Sequence, residues 1–296
     1  MANEAAAPTA DPIAPVQRVD IRWELLWGAI GAITAGVLAA TASTTDAVRG
    51  IERGFTISTA NTLLSIFPMI GVAVAFVKMT RAVDPVALNS LRRSGICVFA
   101  LAILMSIASV FMDSFPQAAG RSEPFLGYLL IVICVLLLGY AGGFRSISFV
   151  FFTYLIVKYL IGWLTIGKRF NSGDAFLAVG VVLVCVSLLA YPIWFANCLR
   201  RAREKLGSSV LGVATVVCGG LAVMIVFTIW MVVTLAQTPG AENMDDQAMD
   251  EVLAPIVQRF NAISAVLELA FAVCVASMFL GVRRQLTAQS SPETRT

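Results

Sequence analysis

The chain has 296 residues, of which 58% are hydrophobic and 13% charged, and its formal net charge is +3. A soluble domain carries roughly 25% charged residues, and no core of this length could hide so many apolar side chains, so lipid must be part of the solvent. Histidine is absent, which excludes histidine-ligated haem, histidine-based zinc sites, Ser-His or Cys-His catalysis and histidine proton relays.

The apolar stretches are continuous and about 20 residues long, the length of a helix across a bilayer. A transmembrane barrel would instead show shorter segments alternating apolar and polar residues. The expected fold is all-α: a polytopic transmembrane helical bundle of about eight spans. Residues 1–20 are Ala- and Pro-rich, lack the apolar run of a cleavable signal, and read as a disordered cytoplasmic tail. Residues 21–282 form a single transmembrane domain, and residues 283–296 a second polar cytoplasmic tail.

The first expected span, Trp23–Ala42, is rich in small residues. Gly28, Ala32 and Gly36 recur every four positions and share a face, a surface for close helix contact within the chain or with another protomer or complex partner. The second span, Ile57–Lys78, carries Pro68 at its centre, where a proline removes one backbone hydrogen bond and kinks the helix. Spans follow at Gly95–Met112 and Phe125–Ala141, then at Ser146–Ile166 after a Gly142-Gly143 turn. Three more are expected at Ala175–Asn197, Val210–Leu235 and Phe260–Val282. Before the last, residues 242–254 interleave acidic and apolar side chains at helical spacing, which predicts an amphipathic helix on the outer surface, bending at Pro255. Its aspartates lack the second acidic cluster and basic partners that a Mg²⁺–phosphate site needs, so they read as a solvated face.

Most of the 21 basic residues fall in alternate connections, among them Arg81, Arg92 and Arg93, Arg200, Arg201 and Arg203, and Arg283 and Arg284. The positive-inside rule then puts both termini in the cytoplasm, which requires an even number of spans. Basic residues next to spans meet anionic headgroups, and nothing indicates nucleic acid. The six cysteines lie in or beside apolar runs without a CxxC pair and read as small buried residues. No metal or cofactor is indicated.

Two ionisable residues fall inside expected spans: Lys158 in the fifth and Glu268 in the eighth. Insertion scales put the cost of a charge at mid-bilayer at about 2.5–3.5 kcal/mol, so such residues have a partner or a function. Both lie at about 12 Å from the outer boundary at the rise of a helix, and could pair if their helices are neighbours. Tyr154 shares a face with Lys158, and Asn261 and Ser264 share one with Glu268. The expected function is a small-solute or ion transporter using the intramembrane Lys158/Glu268 pair. The alternative is a structural or assembly subunit of a membrane complex, with the pair fixing helix register. An enzyme is not expected, because paired acids, a nucleophile–base dyad and a metal site are all missing. Arginine far outnumbers lysine and alanine is abundant, a composition that suggests a bacterial cytoplasmic membrane.

Overall fold

The computed structural model describes residues 20–49, 57–114, 129, 132–137, 139–140, 172–239 and 246–288. The fold is an all-α bundle. Its elements are α1 (Arg22–Arg49), α2 (Ile57–Val83), α3 (Asn89–Ser114), α4 (Ser172–Arg201), the short α5 (Arg203–Leu206), α6 (Val210–Gln237) and α7 (Asp246–Ala288). Among the described residues, 6 helices are long and apolar enough to cross a bilayer. The protein is thus an integral, multi-pass membrane protein. Of the two remaining expected spans, Phe125–Ala141 is represented only by short helical stretches, and Ser146–Ile166 lies outside the described residues.

The six long helices form a ring. Each packs chiefly on two neighbours, in the order α1, α2, α3, α4, α6, α7, and α7 closes the ring on α1. Neighbours run antiparallel. Gly28 of α1 meets Ala75 of α2 and Phe279 of α7, while Gly36, farther along α1, meets Ala272 of α7. Lipid tails are as apolar as leucine, so in a membrane these contacts are held by close packing rather than by removal from water. That is why small residues sit at the seams. A Cβ on Gly28 would lie 2.6 Å from the Ala75 Cβ, and one on Gly36 would collide with Ala272. Gly95 takes the Phe76 ring in the same way on the α2–α3 seam. The Gly28, Ala32, Gly36 stripe is therefore occupied within the chain.

One half of the ring is solidly filled. Phe76, Phe99 and Phe195 meet edge to face, with centroids 5.7 to 6.4 Å apart. Leu25, Met79, Leu91, Leu199, Val213 and Phe279 complete this packing. The basic residues collect at the same end, on the α2–α3 and α4–α6 connections and near the end of α7. Ion pairs tie this end together: Lys78 of α2 lies 3.0 Å from Glu24 of α1, and Lys205 of α5 lies 3.4 Å from Asp84. Asp84 also accepts the backbone N–H groups of Val86 and Ala87, which fixes the turn from α2 into α3. Gly207 ends α5 at φ +86°, a left-handed conformation suited to glycine.

The outer surface is apolar, as lipid requires. Trp27, Phe67, Val226, Ile229 and Val266 are all exposed. Tryptophans mark the two ends, Trp23 and Trp27 near the basic end and Trp230 beneath Arg259 at the other. Threonines on the spans donate to the carbonyl four residues back, as Thr44 does to Ala40 and Thr228 to Met224. This removes their polar hydrogens from lipid.

Several helices extend past the expected spans, and two boundaries differ for a clear physical reason. α1 continues past Ala42 to Arg49, because its threonines satisfy themselves on the helix backbone. The segment expected as a separate outer-surface helix over 242–254 is, from Asp246 onward, the first part of α7, which runs unbroken for 43 residues with Pro255 inside it. No glycine interrupts the chain between Asp246 and Leu280, so the helical pattern carries through. α2 likewise continues through Pro68.

Candidate binding cavity

Beyond the aromatic cluster the ring does not fill. A cavity of about 430 Å³ lies between α1, α2, α3 and α7. Its floor, on the side of the basic end, is made by Val72, Val98, Phe99 and Val275. From there it extends toward the opposite end of the bundle as far as Asp46, Thr62 and Ser109. A volume of this size suits a small organic solute.

The cavity exists because α1 presents only small side chains along one face. Ala32, Ala35, Gly36, Ala39, Ala42 and Ser43 all line it. At the Gly36 level α1 and α7 touch, and one to two turns farther on, Glu268 of α7 reaches the cavity. The Ser43 hydroxyl lies 3.1 Å from both Glu268 carboxylate oxygens. A hydroxyl has one proton, so Ser43 satisfies only one of the roughly four acceptor positions of a carboxylate. Asp46, one turn beyond Ser43, brings a second carboxyl group to the same cavity. Measured along α7 at the rise of a helix, Glu268 is about 14 Å from Arg259 and about 22 Å from Arg283, a depth within the hydrocarbon layer.

Two of the other lining hydroxyls are turned back onto their own helices. Ser65 donates to the carbonyl of Thr62 at 2.7 Å, and Ser106 to that of Ala102 at 2.9 Å. Both protons are thus used on the residue's own helix, and the oxygens that face the cavity offer lone pairs. Among the described residues, no basic side chain lines the cavity and Glu268 makes no salt bridge. The Lys–Glu ion pair that the described residues do contain, Lys78 with Glu24, is half-exposed and lies at the basic end, away from the cavity.

The residues singled out from sequence stand as follows. Glu268 lines the cavity. Lys158 and Tyr154 lie outside the described residues. Asn261 and Ser264 lie on α7 nearer its start, partly buried, and do not line the cavity. Pro68 sits where α2 approaches α1, its carbonyl oxygen 3.3 Å from the place a Cβ of Gly31 would take. Ser43, Asp46, Thr62 and Ser106 were not singled out. The signal for the first two was the small-residue stripe itself, which continues through Ala39 to Ser43 and Asp46 at helical spacing.

A second cluster packs Tyr191 of α4 with Cys97 of α3 and with Cys134, which is fully buried in one of the short helical stretches. The Cys97 thiol donates to the Leu137 carbonyl at 3.5 Å. This cluster is separate from the cavity.

Comparison with known protein families, with curated proteins and with solved structures finds no match to this chain.

Proposed function

We propose that the protein is a transporter of a small solute or ion, and that the cavity beside Glu268 is its binding site. The observation that carries this reading is a carboxylate at mid-membrane depth, open to a cavity and held by a single hydroxyl rather than by a basic partner among the described residues. An ionisable group in that setting marks a substrate or proton path. The Phe76, Phe99 and Phe195 cluster then closes the route to the basic end, and the arrangement corresponds to a state open away from that end. Release on the other side requires this cluster to part, as in alternating access.

The same reading has both termini in the cytoplasm and eight spans. α3 leaves the basic end and α4 returns to it, and the reading places the two further expected spans, Phe125–Ala141 and Ser146–Ile166, between them. The basic end is then cytoplasmic, in agreement with the positive-inside rule. Lys158 would lie in one of these spans as a counter-charge for Glu268 when the site is empty. Enzymatic activity forms no part of the proposal, and a bacterial cytoplasmic membrane is the setting it assumes.

The test is flux through the purified full chain in liposomes, with imposed proton and sodium gradients and dye readouts inside the vesicles. The wild-type chain should dissipate at least one gradient, and Glu268→Gln, which keeps the size of the side chain and its contact with Ser43, should abolish this while leaving thermal unfolding unchanged. Absence of any wild-type flux, with Glu268→Gln altering only stability, would instead support a structural subunit.

A further inference from the structure

Glu268 and Asp46 bring two carboxyl groups to the cavity, and the protons of Ser43, Ser65 and Ser106 are directed to Glu268 or to helix carbonyls. The lining is therefore rich in acceptors. A ligand that satisfies it must bring donors and positive charge. The remaining walls are apolar and partly aromatic: Met69, Val72, Phe99 and Phe271. An inorganic cation would use the first set of groups and leave the second idle, and about 430 Å³ is far more space than it fills. An ammonium group has three N–H donors for carboxylate and hydroxyl oxygens, and its organic tail can cover the apolar wall.

Resting on the transport reading, we infer that the cavity takes small primary ammonium compounds with an apolar tail, the head at Glu268 and Asp46 and the tail against Met69, Phe99 and Phe271. Specificity then has two independent sources. The head selects for charge, since a neutral alcohol or an anionic carboxylate of the same shape meets acceptors with no positive charge to offer them. The tail selects for length, and each buried methylene should raise affinity by about fourfold.

The experiment is equilibrium binding of radiolabelled phenethylammonium to the full chain in lipid nanodiscs. Phenylethanol, phenylacetate, ethylammonium, butylammonium and sodium serve as competitors. The expected result is saturable binding, competed by butylammonium about fifteenfold better than by ethylammonium, and hardly at all by phenylethanol or phenylacetate. Glu268→Gln should weaken binding at least tenfold, and Phe271→Ala should weaken the aryl compound more than ethylammonium. Asp46→Asn gives a second variant, should Glu268→Gln fail to fold. Equal competition by phenylethanol, or binding unchanged in both carboxylate variants, would overturn the inference. If no amine binds while wild-type liposomes still pass protons or sodium through Glu268, the ligand class is wrong and the transport reading stands. If neither binding nor flux is found, both fall.

Discussion

Ser43 and Glu268 come from opposite ends of the chain, and the hydroxyl of one lies 3.1 Å from both carboxylate oxygens of the other. This contact follows from how α1 and α7 pack. Gly36 against Ala272 and Gly28 against Phe279 set the register of the two antiparallel helices, and that register brings Ser43 level with Glu268. The acid is thus placed by small residues that carry no chemistry themselves.

Gly36→Ala tests that dependence. The added methyl would collide with Ala272 and lie 3.2 Å from the Glu268 carbonyl oxygen, so α1 and α7 must separate. The expected loss is about 1–3 kcal/mol of stability, read by unfolding in detergent, together with weakened ligand or proton handling at Glu268. Gly71→Ala is the control. Nothing lies within 4 Å of a Cβ there, so its stability should match the wild-type chain or exceed it slightly.

Phe99 separates the cavity from the packed basic end, touching Phe76 and Phe195 by ring edges. Phe99→Ala should cost about 3–5 kcal/mol and join the cavity to that end. Liposomes holding the variant should leak protons faster than those holding the wild-type chain, whereas Phe99→Leu should match the wild-type rate. A Phe99→Ala protein that is destabilised but tight would deny the aromatic cluster a gating role.

The Lys78–Glu24 pair is a different kind of contact. Its side chains are 48% and 32% exposed, so solvent screens it, and a double-mutant cycle of Lys78→Met with Glu24→Gln should give a coupling of only about 0.2–1 kcal/mol. High salt should reduce it further. Flux should survive both changes, which separates this end of the bundle from the site.

Asp84 gives a pH test outside the membrane. The Ala87 backbone N–H holds its carboxyl below the ordinary carboxylate range, with further help from Lys205 and the Val86 N–H. The folded-state value is thus lower than the unfolded one. The resulting stability is fully present above the unfolded value, about 3.9, and is lost as pH falls through the depressed folded value. The difference in unfolding temperature between the wild-type chain and Asp84→Asn should therefore be constant near neutrality and shrink below about pH 4.

Much of the architecture was legible because a bilayer is a demanding solvent: long apolar runs have few alternatives to a spanning helix. Glu268 stood out for the same reason, as a charge in an apolar run. Its surroundings did not. Ser43-Thr44-Thr45-Asp46 resembles the start of a loop, yet Thr44 and Thr45 donate to carbonyls one turn back and keep α1 going. The order of helices around the ring depends on which small residues meet, as Gly28 meets Ala75 and Gly95 meets Phe76, and such pairings leave no periodic signal within one helix. A proline is equally ambiguous, since Pro255 reads as a bend and stands inside a continuous helix.

Water access to the cavity is the most direct test of the account. In a background with the six cysteines replaced, single cysteines at Ala39 and Ser106, on two walls of the cavity, and at Ala75, in the packed half, would be exposed to a membrane-impermeant cationic methanethiosulfonate. Rapid labelling of the first two is expected from the side opposite the basic end, slowed by an excess of phenethylammonium, with no labelling at position 75. If positions 39 and 106 resist the reagent from both sides as completely as position 75 does, no aqueous path reaches Glu268 and the account is wrong.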